Sequence, residues 1–388
     1  MIDVAAVRAD TPSCEHILHF NNAGASLVPD PVFAEITAHL ELEREFGGYE
    51  AAQQAADKLE GFYSEFAALL GCDPSEVAFV ENATRAWDMA FYGLPLEPGD
   101  RILTHRSEYA SNFLALLQQS RRRGLEIDIV PSDATGQIDV DAMEGMIGPR
   151  SRLIAITHVP TQGGLVNPVE AVGRLARKHG LTYLLDACQS VGQVELDAKK
   201  IGCHILSGTG RKFLRGPRGT GFLYVSVDMI DQIEPPFIDM HSATWTGDDS
   251  YRFAADAKRF ENWESYVAGK IGLGRAVRYA RDLGLAAIEE RVGHLGATLR
   301  EALAQVPGVT VHDLGGKKCG IVTFRKRGEA PAAMAARMRE RRINVSVTDL
   351  QSARLDFEER GLDALVRASV HYFNTENEID RFVEAVKR

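Results

Sequence analysis

Lys212 lies in a segment whose composition would let its amine approach a bound cofactor closely. Residues 207–221 have the sequence SGTGRKFLRGPRGTG, between two apolar runs. Small neighbours leave room around the amine, and a lysine that forms a Schiff base needs a lowered pKa. The adjacent cations Arg211 and Arg215 would favour that lowering. The same residues also suit a basic, glycine-rich surface loop, and they match neither a dinucleotide-binding fingerprint nor a P-loop.

A second candidate is Asp186, which ends an apolar run and is followed three residues later by Gln189. An acid at the carboxyl end of a parallel strand lies where ligands bind in open α/β sheets. A buried carboxylate there can keep a pyridinium nitrogen protonated, which makes the ring an electron sink. The same residue type equally suits a magnesium ligand or a helix cap.

The third segment is residues 81–86, ENATRA, which follow an apolar run and precede a helical pattern. A strand, then small and hydroxyl residues, then a helix N-terminus forms a general cradle for phosphate. The reason is that unpaired N–H groups and the helix dipole favour an anion. Capping of the helix by Asn82 or Thr84 would explain the same residues without a ligand.

Strand-like runs alternate with helical patterns through the first two thirds of the chain. The runs predicted as strands are 101–103, 127–130, 153–157, 182–186, 204–207 and 221–225. Between two of them, Pro168 opens an amphipathic helix that ends at His179. This alternation predicts a largely parallel sheet covered by helices. Residues 270–306 then form a long helical region, and shorter strands and helices follow, which indicates a second, smaller α+β domain.

The composition disfavours several classes of function. The chain of 388 residues, 45% hydrophobic and 25% charged, suits a globular enzyme of two or three domains. A net charge of -10 and a pI near 5.6 oppose binding to nucleic acid or to anionic membrane surfaces. No secretory start or membrane-spanning run is visible, so we expect a cytoplasmic protein. Five cysteines without a CxxC pair and 11 histidines without an HExxH pair support neither disulfides nor a metal site.

Taken in order, these segments resemble the class V aminotransferase superfamily of fold-type-I pyridoxal-5'-phosphate (PLP) enzymes. That superfamily includes cysteine desulfurases, selenocysteine lyases, kynureninases and isopenicillin N epimerase-like proteins. Residues 21–24, NNAG, look like its N-terminal segment, and residues 366–382 are similar to its C-terminal block. The resemblance implies an α/β fold with two domains. A large PLP-binding domain with a mainly parallel sheet would span residues 16–247, and a smaller α+β domain would combine residues 1–15 and 248–388.

The resemblance also implies roles for individual residues. Lys212 would be the catalytic lysine that holds PLP as a Schiff base. Arg367 would bind the substrate carboxylate, for which a planar guanidinium is well suited, although a surface arginine is the plain alternative. The cofactor-binding residues would be Ala83, Thr84, Thr209 and Arg211 around the phosphate, Tyr109 stacked on the ring, Asp186 at the pyridine nitrogen, Gln189 at the phenolic oxygen, and Lys212 itself.

Two departures from the desulfurase pattern bear on the reaction. Desulfurases carry a nucleophilic cysteine on a loop before the C-terminal arginine, but residues 347–365 contain none and place Ser352 about where it would fall. Thr161 stands where the family usually presents asparagine, and Tyr109 stands where desulfurases have histidine. Residues 47–49, GGY, together with the Lys212 segment look most like carbon–sulfur lyases that lack the persulfide cysteine, such as the ergothioneine-pathway sulfoxide lyase.

These features predict a PLP-dependent lyase acting on an amino acid. Lys212 would remove the α-proton, and a sulfur leaving group on the β-carbon would be eliminated to give pyruvate and ammonia. An epimerase or an aminotransferase of the same superfamily is the open alternative. A noncatalytic PLP-binding regulator would need a DNA-binding module, for which residues 1–15 are too short. The resemblance also implies a homodimer, in which residues 259–265 of a partner could complete the phosphate site or else be ordinary core.

Overall fold

The computed structural model describes residues 2–388. The helices are α1 (Val4–Ala9), α2 (Asp30–Phe46), α3 (Gly48–Gln54), α4 (Ala56–Leu70), α5 (Ala83–Phe91), α6 (Ala110–Arg123), α7 (Val140–Met146), α8 (Val169–His179), α9 (Ala198–Ile201), α10 (Val227–Ile230), α11 (Val267–Leu283), α12 (Leu285–Ala304), α13 (Pro331–Glu340), α14 (Arg354–Glu359) and α15 (Glu376–Lys387). The strands are β1 (Leu18–His19), β2 (Val77–Val80), β3 (Arg101–His105), β4 (Glu126–Val130), β5 (Ser151–Thr157), β6 (Thr182–Asp186), β7 (Ile205–Thr209), β8 (Gly221–Val225), β9 (Ala243–Gly247), β10 (Ser250–Phe253), β11 (Val309–Val311), β12 (Ile321–Lys326), β13 (Ile343–Asn344), β14 (Ser346–Asp349) and β15 (Ala364–Ser369).

Seven strands form one large sheet in the order β2-β8-β7-β6-β5-β3-β4. Strand β8 runs antiparallel to both of its neighbours, and the other pairs in the sheet are parallel. Strands β2, β3, β5, β6 and β7 therefore end at the same edge. The prediction of a mainly parallel α/β sheet is confirmed, and the run at 221–225 is the strand that departs from it.

The strands of this sheet are nearly continuous apolar runs because helices cover both faces. Helix α8 shows how such a cover forms, since its residues Val169, Val172, Leu175 and Ala176 share one buried face, as the spacing predicted. The helix is capped at its C-terminus by Gly180, whose φ of 64° is left-handed, a conformation that glycine adopts with little strain. The two faces of the sheet thus carry separate hydrophobic cores.

A second sheet with the order β11-β12-β15-β14 is antiparallel throughout. Helices α12, α13 and α15 pack against it around Leu299, Phe324 and Phe382. The N-terminal residues Leu18 and Phe20 join this core, because β1 pairs in parallel with β13. The smaller α+β unit therefore includes residues from both ends of the described chain.

The helical region predicted over 270–306 consists of two helices, α11 and α12. They separate at Gly284, whose φ of 86° breaks the helical path. Helix α11 packs against α2 and α4, next to the large sheet, and α12 packs in the smaller unit. The division into residues 16–247 on one side and 1–15 with 248–388 on the other stays a prediction.

Candidate active site

A cavity of about 480 Å³ lies at the edge where the parallel strands end. Its walls come from the residues that follow β2, β3, β5, β6 and β7. The lining residues are Asn82, Ala83, Thr84, Tyr109, Asn112, Thr157, Val159, Thr161, Asp186, Cys188, Gln189, Thr209, Arg211 and Lys212. All eight residues predicted to bind the cofactor are in this set, although they are spread over 130 positions of the chain, from Ala83 to Lys212.

Lys212 follows β7 and has only 8% of its surface exposed. Burial is the first cause that lowers the pKa of its amine, because a charge is poorly solvated there. The cations Arg211 and Arg367 lower the pKa further, while Cys188 and Asp186 oppose that change. The amine therefore lies in a confined, partly electropositive place, and the surface-loop alternative for this segment is wrong.

Arg215 does not act on Lys212 as its position in the sequence suggested. Its guanidinium donates hydrogen bonds to the carbonyl of Leu27, to the Tyr372 hydroxyl at 2.9 Å and to Thr11 Oγ1 at 2.6 Å. It also lies over the ring of Phe373, 4.6 Å from the centroid. Arg215 instead ties the loop after Lys212 to the N-terminal residues and to the smaller unit.

Asp186 ends β6 with its carboxylate buried at the cavity wall. Its Oδ1 accepts from the Cys188 N–H at 2.7 Å, and its Oδ2 accepts from Asn112 Nδ2 at 2.8 Å. The Gln189 amide donates to the Ala23 carbonyl at 3.1 Å and to Thr161 Oγ1 at 3.2 Å. Gln189 Oε1 is buried and has no hydrogen-bond partner among residues 2–388.

The turn after β2 opens helix α5 beside the cavity. Asn82 caps the helix, since its side chain accepts from the Arg85 N–H at 2.9 Å, so the capping interpretation holds for Asn82. The N–H groups of Ala83 and Thr84 find no acceptor within residues 2–388 and lie at the positive end of the helix dipole. Strand β8 approaches this turn closely at Gly221. A Cβ on this residue would come within 2.8 Å of the Asn82 backbone, so only glycine fits there.

Arg211 and Thr209 approach the same part of the cavity from the end of β7. The Arg211 guanidinium donates to the carbonyl of Gly24, which places the N-terminal NNAG segment beside the site. Thr209 Oγ1 bonds to the carbonyl of Thr220 at 3.3 Å. A guanidinium, a hydroxyl and free N–H groups thus come from residues that line one cavity, a combination that suits an anionic group such as phosphate.

Arg367 lies on β15 of the second sheet and is 8% exposed, so the interpretation as a surface arginine is wrong. Its Nη1 donates to Thr161, at 3.0 Å to the carbonyl and at 2.6 Å to Oγ1, and its Nε donates to Ser346 Oγ. Burial first and the neighbouring charge of Arg211 second lower the pKa of Arg367 to about 10. Arg367 reaches the cavity through Thr161 and does not itself line it.

Four polar residues of the site were not predicted individually: Glu108, Asn112, Thr157 and Cys188. Thr157 ends β5, Cys188 follows β6, and Glu108 and Asn112 lie in the turn and the helix that follow β3. Their position near the carboxyl ends of the strands is the one sequence signal that could have identified them. The Cys188 thiol lines the cavity, but burial first raises its pKa to about 12. The thiol therefore stays protonated near neutral pH.

The residues present fit PLP on observations of this structure. A buried lysine, a carboxylate suited to a ring nitrogen and a buried amide oxygen without a partner line one cavity. Free helix N–H groups and a guanidinium stand where an anionic phosphate would be held. No group of His, Cys, Asp and Glu within residues 2–388 is arranged to hold a metal ion. None of the helices in this part of the chain has the length and hydropathy to cross a membrane.

Comparisons with known proteins identify the family of this chain. Residues 18–382 match the family described as Aminotransferase class-V. A probable cysteine desulfurase of Xylella fastidiosa strain Temecula1 is 30% identical over 99% of this chain and 95% of its own length. The apo structure of a cysteine desulfurase from Thermococcus onnurineus NA1 superposes with a TM-score of 0.93 at 28% identity, covering 100% of this chain and 98% of that one.

The cystine C–S lyase C-DES, solved with its product cysteine persulfide, shares the fold. Its TM-score is 0.88 at 23% identity, over 97% of this chain and 99% of that one. At that identity the likeness shows the fold alone. The family match over most of the chain and the full-length relatives decide the assignment: this chain belongs to the class V aminotransferase family and is a PLP-dependent enzyme that acts on an amino acid.

Proposed function

We propose that this enzyme is a carbon–sulfur lyase that eliminates the sulfur substituent of a cysteine conjugate or sulfoxide, giving pyruvate and ammonia. The observation that carries this proposal is the lack of a nucleophilic thiol where a desulfurase needs one. Residues 347–365 contain no cysteine. The relatives are described as probable cysteine desulfurases, and the proposal departs from them at this step.

Ser352 is a poor substitute for that thiol. Its hydroxyl donates to the Asp349 carbonyl at 2.8 Å and accepts from the Asp349 N–H at 3.1 Å. Its own carbonyl accepts from the Ala110 N–H, next to the cavity residue Tyr109, so the loop lies beside the site. A serine hydroxyl is un-ionised near neutral pH and needs an adjacent base to act as a nucleophile.

Cys188 does not replace the missing thiol either. Attack on a substrate sulfur requires a thiolate, and burial first, followed by the charge of Asp186, keeps the Cys188 proton in place against the opposing effect of Lys212. Cys188 also lies two residues after a strand end and not on the loop that carries Ser352. The other four cysteines of the chain do not line the cavity.

Lys212, Asp186 and Gln189 would each have a separate role toward the cofactor. PLP, when bound, supplies an electron sink for the bond broken at the α-carbon. Lys212 would hold the cofactor covalently and, once released by the substrate amine, accept the α-proton at Nζ, since its lowered pKa makes a neutral amine accessible. Asp186 would pair with the ring nitrogen, and Gln189 with the phenolic oxygen.

The remaining side chains orient the two ligands. Ala83, Thr84, Thr209 and Arg211 would hold the cofactor phosphate, and Tyr109 would pack on the ring. Arg367 would bind the substrate carboxylate, which its guanidinium can do bidentately. Loss of the α-proton to Lys212 and departure of the sulfur group from the β-carbon with its bonding electrons would leave an unsaturated amine. Water would hydrolyse this product to pyruvate and ammonia, so the reaction needs no protein thiol.

The test is to follow all products in parallel for a panel of cysteine conjugates and sulfoxides. We expect pyruvate and ammonia in equal amounts, no alanine, no dependence on added α-keto acid, and no sulfur adduct on any cysteine by mass spectrometry. Stoichiometric alanine would restore the desulfurase assignment. Strict keto-acid dependence would indicate an aminotransferase, and α-proton exchange with inverted product an epimerase.

We also propose a homodimer in the cytoplasm. Strands β9 and β10 form a separate two-stranded hairpin, an element that is marginally stable by itself, and its Trp245 is 80% exposed. In residues 259–265, Phe260 belongs to the core of its own chain, whereas Trp263 is 52% exposed and available to a partner. Light scattering after gel filtration should give twice the chain mass, and a monomer would contradict this proposal.

A further inference from the structure

Two buried carboxyl groups lie side by side next to the cavity. Glu108, in the turn between β3 and α6, is 3% exposed, and Asp186 at the end of β6 is 4% exposed. The side-chain amide of Asn112 connects them, since Nδ2 donates to Glu108 Oε1 at 2.9 Å and to Asp186 Oδ2 at 2.8 Å. One amide group therefore bridges two carboxyls that are 78 positions apart in the chain.

The hydrogen-bond partners of Glu108 are all uncharged. Its Oε1 lies 2.9 Å from the Tyr109 N–H and 2.5 Å from Thr157 Oγ1, and its Oε2 is buried without a partner among residues 2–388. The one charged neighbour that acts on it is Asp186, which faces it from β6. Asn112 from α6 and Thr157 from β5 are neutral, and so is the buried His105 at the end of β3, whose pKa is lowered to about 3, chiefly by burial. Arg106, in the same turn as Glu108, is paired with Glu359.

Two carboxylates sharing one buried site cannot both ionise without a large cost. Burial first and the charge of Asp186 second raise the pKa of Glu108 to about 7. The hydrogen bonds that Thr157, Asn112 and the Tyr109 N–H donate to Oε1 oppose this rise in pKa but do not cancel it. Asp186, in contrast, keeps two N–H donors and borders the cavity.

We infer that Glu108 is a positioning residue that stays neutral, so that the one negative charge of the pair rests on Asp186 and the Asn112 amide is fixed as a donor to it. This inference rests on the proposed role of Asp186 toward the cofactor. Glu108 does not line the cavity. Its neutral state leaves the negative charge beside the ring nitrogen on Asp186.

The test compares the wild-type holoenzyme with Glu108→Gln, which imitates the neutral carboxyl in shape. Infrared spectra at pH 6 should show a protonated carboxyl band in the wild type that the variant lacks. The visible spectrum of the bound cofactor at pH 6 should be the same in both proteins. Raising the pH to 8 should diminish the band and alter the visible spectrum of the wild type only.

Two outcomes would overturn the inference. Infrared spectra of wild type and Glu108→Gln that superpose at pH 6 would mean that Glu108 is ionised, and an altered cofactor spectrum in a folded Glu108→Gln protein at pH 6 would mean that its charge is needed. Asp186→Asn provides a second measurement, since removal of the neighbouring charge should move the loss of the Glu108 band to lower pH in the infrared titration. These readouts do not depend on which amino acid is cleaved, so alanine formation would refute the lyase proposal and leave this one standing.

Discussion

Lys212 and Lys270 are both buried in this protein, yet their surroundings differ. Each is 8% exposed, and burial is the first cause that lowers the pKa of each amine. Lys270 Nζ lies 2.5 Å from the Tyr63 hydroxyl and 3.6 Å from Glu261 Oε2, and it lies over the Tyr63 ring. Lys212 has no ion pair within residues 2–388 and borders an open cavity.

The comparison teaches that burial and a lowered pKa do not by themselves identify a reactive lysine. The Lys270 network is closed, because Glu261 also accepts from the Phe79 N–H at 2.7 Å and lies 3.1 Å from His241 Nε2. Such a network connects helices α4 and α11 to strand β2. Lys212 instead keeps its amine available, and free space beside it distinguishes a site from a core ion pair.

The largest expected effect comes from Lys212→Ala. The wild type should be yellow, with a visible band that borohydride removes by fixing the cofactor to the protein, and the variant should lose this covalent attachment entirely. Peptide mapping should place the reduced adduct on Lys212. An adduct on Lys270, or on any other lysine, would show that Lys212 is not the lysine that holds the cofactor.

The second effect concerns stability. Lys270→Met should keep the covalent cofactor but lower the free energy of unfolding by about 3–5 kcal/mol, because the buried Glu261 carboxylate would lose its lysine partner. Chemical denaturation measures this loss. The double variant Lys270→Met with Glu261→Gln should recover part of it, and an unchanged denaturation midpoint in the single variant would show that the network is not stabilising.

A smaller effect is expected at another buried cation, Arg367. Arg367→Ala should weaken substrate binding by roughly 10- to 160-fold, the loss of a charge-assisted pair worth about 1.5–3 kcal/mol, while the spectrum of the bound cofactor stays intact. The exposed Arg218→Ala is the matched control. Substrate titrations followed by absorbance give the affinities, and equal values for both variants would refute the assignment.

A further effect is a pH dependence of stability. The folded-state pKa of Glu108, about 7, lies above its ordinary value of 4.5, so its contribution to stability is complete below about pH 4.5 and is lost as the pH rises to about 7. The unfolding free energy of the wild type relative to Glu108→Gln should therefore fall across this window and level off above it. A constant difference would contradict the raised pKa.

Much of the fold and the cofactor could be predicted from the sequence, because the relevant signals are local. Apolar runs and helical periodicity predicted the parallel sheet and helix α8, and short motifs around Thr84, Asp186 and Lys212 indicated the family and the cofactor. Each of these motifs ends a strand, so its residues are neighbours in the chain as well as in space. The family match confirms the class V assignment and PLP dependence, while the residue roles and the domain boundaries stay predictions.

Only the tertiary structure decided which distant residues meet. Asn112 bonds to Asp186 across 74 positions, and Arg367 bonds to Thr161 across 206. Such contacts depend on the order of strands in two sheets, which local patterns do not encode. The same holds for Arg215, which is close to Lys212 in the sequence but donates a hydrogen bond to Thr11, far away in the chain. The direction of a side chain follows from the three-dimensional packing around it. The sequence motif indicated Lys212 as the reactive lysine, but only the structure showed that Lys270 is buried as well and that its network is closed.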